Sequence, residues 1–167
     1  MFTIRDMKPE DTEPVLEMMR VFYASPAVLS NGSEEIFQAD IKHCVEGSPY
    51  LEGYIFEEDT KRLGYAMVAK SFSTEFGKPC IWIEDLYLKP EYRGCGIGRE
   101  FFCYIEQKYP DCVLRLEAEE ENTGAISLYQ RCGYEVLPYL EMKKDRQTII
   151  RAKCTESPKE QRQEEWI

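Results

Sequence analysis

The chain has 167 residues, of which 43% are hydrophobic and 31% are charged, and its net charge is -10. This length and composition predict one soluble domain with a hydrophobic core, and the acidic balance argues against a nucleic-acid partner, because binding a phosphate backbone requires a basic surface. No apolar run approaches the ~20 residues of a membrane span and the N-terminus has no signal-peptide pattern, so a cytoplasmic protein without a membrane partner is predicted.

Hydrophobic periodicity predicts the elements of the first half of the chain. A strand over Phe2–Met7 is followed by a helix from about Glu10 to Tyr23. Ser33 has the character of an N-cap for a second helix that reaches Glu46 and ends at Gly47. The strands that follow, in antiparallel style, are Tyr50–Glu57, Leu63–Ser71 and Cys80–Leu88.

The second half alternates helices and strands. The predicted elements are a helix from Ile97 to about Tyr109, a strand over Val113–Ala118, a helix capped by Asn122 that runs to Arg131, and a final strand region over Tyr134–Lys143 that Pro138 interrupts. We expect a single domain over residues 1–145 and a C-terminal extension or tail over 146–167. The order of elements predicts an α/β mixed sheet with helices on both faces.

The seven cysteines are irregularly spaced, contain no Cys-x-x-Cys pair and share the chain with one histidine, His43. Neither a metal centre nor a disulfide framework is therefore predicted. Cys44, Cys103 and Cys132 fall on apolar faces of predicted helices, where reduced core thiols are expected. Cys95 lies in a glycine-rich loop, but no histidine is near it in sequence to form the thiolate that a nucleophile needs.

That loop, Arg93-Gly94-Cys95-Gly96-Ile97-Gly98, lies between a predicted strand and a predicted helix. Glycines let a backbone approach an anion closely, and the first amides of a helix have no intrahelical partner. The loop therefore predicts a phosphate-binding site at a helix N-terminus. It is not a P-loop, because no lysine follows Gly98, and it is not a dinucleotide fingerprint, because Arg99 and Phe101 stand where the third glycine is needed.

A second motif lies one strand later, Asn122-x-x-Ala125-x-x-x-Tyr129-x-x-x-Gly133-Tyr134. Together with the Arg-x-x-Gly-x-Gly loop and the order of elements, it resembles the GNAT superfamily of acetyl-CoA-dependent N-acetyltransferases over about Phe2–Lys143. The resemblance implies a GNAT-like, mostly antiparallel mixed sheet of about six to seven strands. It also implies acetyl-CoA as co-substrate, no metal and a fold that is compatible with a homodimer.

The resemblance assigns the acetyl-CoA site to two backbone segments and one side chain. The pyrophosphate is expected to accept hydrogen bonds from the backbone amides of the loop, and Arg93 lies at the mouth of the loop. The residues that supply these amides are Gly94, Cys95, Gly96, Ile97, Gly98 and Arg99. The pantetheine arm is expected along the main chain of Leu86, Tyr87 and Leu88, almost as an added strand. Asn122 is expected close to that arm.

The resemblance also implies direct attack by an amine in a ternary complex. Glu84 stands where GNAT enzymes often place a glutamate base, and strand alternation predicts that it shares a face with Leu86. Tyr129 matches the acid of the family, which protonates the departing thiolate. A structural role for either residue stays open.

The acceptor is the least determined part. Ile83-Glu84-Asp85-Leu86 with Tyr92-Arg93-Gly94 resembles the corresponding region of diamine and polyamine acetyltransferases, so a small cationic amine such as a polyamine is the leading expectation. An amino acid, an aminoglycoside or a protein N-terminus is the alternative, and a non-catalytic CoA-binding module is the alternative from another class. The acceptor groove is expected to involve the first two helices and the segment from Tyr23 to Ser33.

Overall fold

Five strands and four α-helices are formed in the computed structural model, which describes residues 1–29 and 31–144. In chain order they are β1 (Thr3–Asp6), α1 (Thr12–Tyr23), α2 (Glu34–Glu46), β2 (Leu51–Glu58), β3 (Lys61–Ser73), β4 (Lys78–Leu88), α3 (Ile97–Lys108), β5 (Val113–Leu116) and α4 (Thr123–Arg131). Short 3₁₀ turns precede α1 and follow β4.

Local sequence signals set the ends of the helices. At the start of α2, the side chain of Ser33 accepts a hydrogen bond from the Ile36 amide (3.3 Å). Gly47 ends that helix in the left-handed conformation, with a φ of 83°. At the start of α4, Asn122 Oδ1 accepts a hydrogen bond from the Ala125 amide (3.3 Å). The predicted caps of both helices are thus confirmed.

The strands form one sheet in the order β1-β2-β3-β4-β5. Neighbouring strands are antiparallel except β4 and β5, which are parallel because α3 returns the chain between them. The predicted mixed, mostly antiparallel sheet is confirmed, although the described residues form five strands rather than six or seven. The predicted last strand, Tyr134–Lys143, is irregular instead, and Pro138 in its middle lacks the amide that a ladder requires.

Helices cover both faces of the sheet, as predicted. The face covered by α1 and α2, here called the α1/α2 face, buries a cluster that includes Met19, Phe37, Ile41, Ile55, Tyr65 and Tyr87. The opposite face, here called the α3 face, buries Tyr54, Phe56, Val68, Ile83, Phe101 and Ile105. The central strands β2, β3 and β4 supply residues to both clusters, whereas β1 and β5 supply residues to the cluster of the α3 face, and this pattern of burial fixes the register of the sheet.

The chain divides at Glu135 into two units, Met1–Glu135 and Val136–Ile167. The elements above belong to the first, and residues 136–144 of the second are irregular chain. The expected extension over residues 146–167 lies outside the described residues. Within residues 1–29 and 31–144, no helix is long and apolar enough to cross a membrane.

Candidate active site

The glycine-rich loop presents a row of unpaired backbone amides. Gly94 and Gly96 have φ values of 74° and 86°, which only glycine adopts without strain. Gly96 is the N-cap of α3, and the first helical hydrogen bond runs from the Glu100 amide to its carbonyl (3.0 Å). Among the described residues, none of the amides from 94 to 99 has a hydrogen-bond partner. Six consecutive free donors at a helix N-terminus suit a phosphate group.

The side chains of the loop have separate tasks. Arg93 Nε donates a hydrogen bond to the Leu88 carbonyl (2.9 Å), and its guanidinium lies 5.8 Å from the centre of the Tyr87 ring. Cys95 is exposed, and Ile97 packs in the core of the α3 face. Gly98 is buried, and a Cβ added to it would lie 3.0 Å from Cδ2 of Leu128 in α4. Gly98 therefore sets how closely α4 approaches α3.

Strand β4 offers a free edge immediately before this loop. It pairs with β5 only from Cys80, opposite Val113, to Ile83, opposite Leu116. Beyond Ile83, β4 keeps β3 on one side, and no described strand lies on the other. The side chains of Leu86, Tyr87 and Leu88 are occupied by packing on the two faces. The backbone of these residues can thus pair with an extended ligand that enters between β4 and β5.

A β-bulge lies where the two strands separate. Met67 of β3 is opposite Asp85, but the next residue, Val68, is opposite Ile83, so Glu84 is the extra residue. A bulge interrupts the alternation of side chains. The sequence argument that Glu84 shares the face of Leu86 therefore does not hold across this position. Glu84 is exposed, and it stays a predicted base on its position at the opening of the two strands.

The bulge turns Asp85 into the protein. Asp85 is 3% exposed, and its two carboxylate oxygens accept hydrogen bonds from the hydroxyls of Tyr23 (3.0 Å) and Tyr65 (2.8 Å). Burial raises the pKa of Asp85 to about 6, and the two tyrosines oppose that shift by stabilising the carboxylate. The other buried carboxylate of the described residues, Asp11, is paired with the guanidinium groups of Arg5 (2.7 Å) and Arg62 (3.0 Å). No cationic side chain of residues 1–29 and 31–144 is paired with Asp85 in this way.

Two further carboxylates contribute to the potential around Asp85. Asp40 in α2 is half-buried, and both it and Glu84 act electrostatically to raise the pKa of Asp85. We call Asp40, Glu84 and Asp85 the acidic group. Tyr23 ends α1, so the segment that follows this helix begins beside the acidic group, as the predicted acceptor groove requires. A site of this kind favours a cationic ligand.

The second motif lies on α4, which follows β5. Asn122 is half-buried, and its Oδ1 is used in the cap of α4. Tyr129 follows two helical turns later, and its ring packs edge-on against Phe102 of α3 (5.6 Å between ring centres). Its hydroxyl has no hydrogen-bond partner among the described residues. Burial raises the pKa of Tyr129, which keeps the phenol protonated at neutral pH.

Sequence reasoning named Asp85 only within the motif Ile83–Leu86 and Tyr23 only as the start of the acceptor segment, and it missed both their contact and Tyr65. In the sequence, Asp85 is only the neighbour of Glu84. The bulge that buries Asp85 arises from the pairing of β4 with β3, and the residue types of β4 do not predict it. The cysteine expectations divide: Cys44 and Cys132 are partly buried, whereas Cys103 is exposed on α3 and was wrongly expected in the core. The described residues contain no group of side chains suited to a metal ion.

Comparison with known proteins identifies the fold and the family. Residues 16–134 match the acetyltransferase (GNAT) family model. The chain belongs to the GNAT acetyltransferase family. This membership confirms the expectation of an acetyl-CoA-dependent N-acetyltransferase, and it agrees with the position of the glycine loop at the N-terminus of α3.

This GNAT chain is similar to two curated relatives in sequence and to one solved structure in fold. Thialysine N-epsilon-acetyltransferase of Bos taurus is 30% identical over 149 residues, which cover 83% of this chain and 86% of the relative. S-alkylcysteine N-acetyltransferase of Bacillus subtilis is 28% identical over 117 residues, which cover 65% and 64% of the two chains. The aminoglycoside N-acetyltransferase AAC(6')-Iy, solved in complex with CoA, aligns with a TM-score of 0.71 at 16% identity and covers 87% of this chain and 95% of its own.

Substitution of Gly96 tests the cofactor loop of this GNAT chain. Gly96→Ala places a Cβ at a φ of 86° and disturbs the row of amides, so the KM for acetyl-CoA should rise about tenfold or more, the equivalent of one hydrogen bond to a charged group. Gly124→Ala is the matched control, because Gly124 lies in the first turn of α4 and an added Cβ meets nothing within 4 Å. Equal KM values for the two variants would contradict a role for the loop.

Proposed function

We propose that this protein transfers acetyl from acetyl-CoA to a primary amine of a small acceptor, by direct attack in a ternary complex. The observation that carries the proposal is the row of free amides from 94 to 99, preceded by the free edge of β4. The amides suit the pyrophosphate of acetyl-CoA, and the backbone of Leu86–Leu88 suits its pantetheine arm. Together they would leave the thioester near the bulge at Glu84.

The reaction has one bond to form and one to break. The neutral amine attacks the thioester carbonyl carbon, and the resulting oxyanion is stabilised by a backbone amide of β4 such as that of Leu86. The C–S bond then breaks and the acetyl group stays on nitrogen. Glu84, through a water molecule, accepts one proton of the ammonium before the attack, and Tyr129 donates its proton to the leaving thiolate as the C–S bond breaks. The second proton of the attacking nitrogen leaves at that collapse and restores the Tyr129 phenol. The negative charge of the Asp85 carboxylate attracts the incoming ammonium.

The acidic group supports a cationic acceptor. Acceptor amines have pKa values of ~10 by analogy with lysine, so they arrive protonated and are attracted to Asp40, Glu84 and Asp85. The polyamine expectation and the amino-acid alternative both satisfy this requirement. Two relatives, the thialysine and the S-alkylcysteine N-acetyltransferases, are named for amino-acid substrates, which favours an amino acid.

The test is release of CoA thiol on incubation with acetyl-CoA and a panel of amines. The panel contains lysine, thialysine, S-methylcysteine, diamines, polyamines, an aminoglycoside and a peptide with a free N-terminus. We expect release with at least one small cationic amine, and mass spectrometry should show one added acetyl group. A thermal shift by acetyl-CoA without turnover on any amine would instead establish a CoA-binding module.

A further inference from the structure

Arg115 lies in the middle of β5, next to the place where β5 leaves β4. Its neighbours Leu114 and Leu116 pack on the α3 face, so alternation directs Arg115 to the α1/α2 face of the sheet. Trp82 is its register partner in β4, and the guanidinium carbon of Arg115 lies 4.4 Å from the centre of the Trp82 ring. Arg115 thus lies on the face toward which Asp85 is turned.

The guanidinium of Arg115 is held in place but has no ionic partner. Stacking on an indole ring fixes the plane of an arginine and leaves its five N–H donors directed outward. Among the described residues, Arg115 forms no ion pair and no hydrogen bond. A half-buried guanidinium that lies over an indole ring and has no ionic partner can donate two parallel hydrogen bonds to a planar anion. A carboxylate has the matching geometry.

An open cavity of about 260 Å³ adjoins this guanidinium. Its lining residues include Ser71, Ser73 and Thr74, and the Ser71 hydroxyl donates a hydrogen bond to the Cys80 carbonyl (3.5 Å). Ser73 Oγ accepts a hydrogen bond from the Phe76 amide (3.4 Å), which leaves the Ser73 proton available as a donor. One cavity therefore combines the Arg115 guanidinium with hydroxyl-bearing residues, which suits the carboxylate of an amino acid.

The length of β4 from Trp82, which contacts Arg115, to the bulge bears on which amine of an acceptor can react. Trp82 precedes Glu84 by two residues and Asp85 by three, which corresponds to roughly 7–10 Å along a strand. In an amino acid, the α-nitrogen lies only about 2.5 Å from the carboxyl carbon. The terminal nitrogen of a lysine-length side chain, six bonds away, reaches about 7–8 Å when extended. The spacing matches the terminal amine and not the α-amine.

We infer that Arg115, stacked on Trp82, binds the carboxylate of an amino acid whose terminal side-chain amine is acetylated beside Glu84 and Asp85. The inference rests on the proposed acetyl transfer and specifies its acceptor class. Arg115 is a specificity residue that takes no part in bond making. It lowers the KM for acceptors that carry a carboxylate and does not change the rate of the chemical step.

The experiment compares two acceptors that differ only in the carboxylate, lysine and cadaverine, and repeats the comparison with thialysine and its decarboxylated diamine. Wild-type protein should have the lower KM for the amino acid of each pair. Arg115→Gln should raise the KM for the amino acids roughly 10- to 100-fold, the equivalent of one charge-assisted hydrogen bond. It should leave their kcat, the KM for the diamines and the KM for acetyl-CoA within about twofold of the wild-type values.

Further variants separate recognition from folding. Arg115→Lys keeps the charge without the two-point geometry and should recover part of the loss. Arg131→Gln removes one charge from the exposed end of α4 and should have no effect on either acceptor. The acetylated products should carry the acetyl group on the terminal nitrogen.

Three outcomes overturn the inference: an Arg115→Gln KM that is unchanged for amino acids, an equal loss for the diamines, or acetylation of the α-amine. An absence of CoA release with every amine, diamines included, refutes the proposed function instead. The two failures are therefore distinguishable.

Discussion

Asp85→Asn should lower kcat/KM for an amine acceptor by about two to three orders of magnitude. The substitution removes the buried negative charge that faces the incoming ammonium, and the loss of one partner of a buried charge pair typically costs 2–5 kcal/mol. Because burial raises the pKa of Asp85 to about 6, kcat/KM of the wild-type protein should fall as the pH drops below that value. Asp85→Asn should lose this dependence.

The same substitution should stabilise the protein at alkaline pH. The pKa of Asp85 is about 6 when folded against 3.8 for an ordinary aspartate, so the folded protein binds the proton more tightly. The stabilising contribution of that proton is complete below pH 3.8 and is lost as the pH rises through 6, a change of about 3 kcal/mol. The free energy of unfolding of Asp85→Asn should therefore exceed that of wild type by about 1–3 kcal/mol at pH 8, with the smallest difference near pH 4.

Chemical denaturation at pH 4 and pH 8 with parallel assays measures both effects. Asp111→Asn is the control, because Asp111 is an exposed carboxylate in the turn before β5. It should change neither activity nor the pH dependence of stability. An Asp85→Asn variant that is fully active, or that is destabilised at pH 8, would contradict the role given to this carboxylate.

Tyr129→Phe should lower kcat by one to three orders of magnitude, the usual contribution of a general acid. A thiol has a pKa of ~8.5 and an ordinary phenol one of ~10, so transfer of the Tyr129 proton to the leaving thiolate is uphill by at least about 2 kcal/mol, a cost that is small against the barrier of a catalysed step. The ring contact with Phe102 survives the substitution, and the hydroxyl has no hydrogen-bond partner among the described residues. The melting temperature and the KM for acetyl-CoA should therefore change little.

Tyr134→Phe is the matched control for this prediction. Tyr134 packs against the same Phe102 ring (5.3 Å between ring centres), and its buried hydroxyl also has no partner among the described residues. Removal of an unsatisfied buried hydroxyl should be neutral or stabilising by about 1 kcal/mol, with activity preserved. If Tyr129→Phe retains full kcat, or if both variants lose activity equally, Tyr129 is not the acid.

Patterns with a local cause were predictable from the sequence. Ser33 and Asn122 begin their helices because each side chain accepts a hydrogen bond from a backbone amide of the first turn. Gly47 ends its helix because it adopts the left-handed conformation. The row of unpaired amides at the N-terminus of α3 was predictable for the same reason, since glycines and a helix N-terminus act over a few residues. The family followed from two such local motifs at the expected separation.

Features that depend on pairing between distant segments were not predictable. The bulge at Glu84 exists only relative to Met67 and Val68 of β3, and nothing in the composition of β4 requires it. The burial of Asp85 and its hydrogen bonds to Tyr23 and Tyr65 follow from that bulge. The stacking of Arg115 on Trp82 depends in turn on the register of β4 with β5.

The contact between Gly98 and Leu128 divides the work among the three glycines of the loop. Gly94 and Gly96 shape the amides proposed to bind the pyrophosphate, whereas Gly98 lies against the helix that carries Tyr129. A larger side chain at position 98 would crowd Leu128 and displace α4 relative to α3. Under the proposed mechanism, kinetics should therefore separate neighbouring glycines of one motif: substitution of the first two should raise the KM for acetyl-CoA, and substitution of the third should lower kcat.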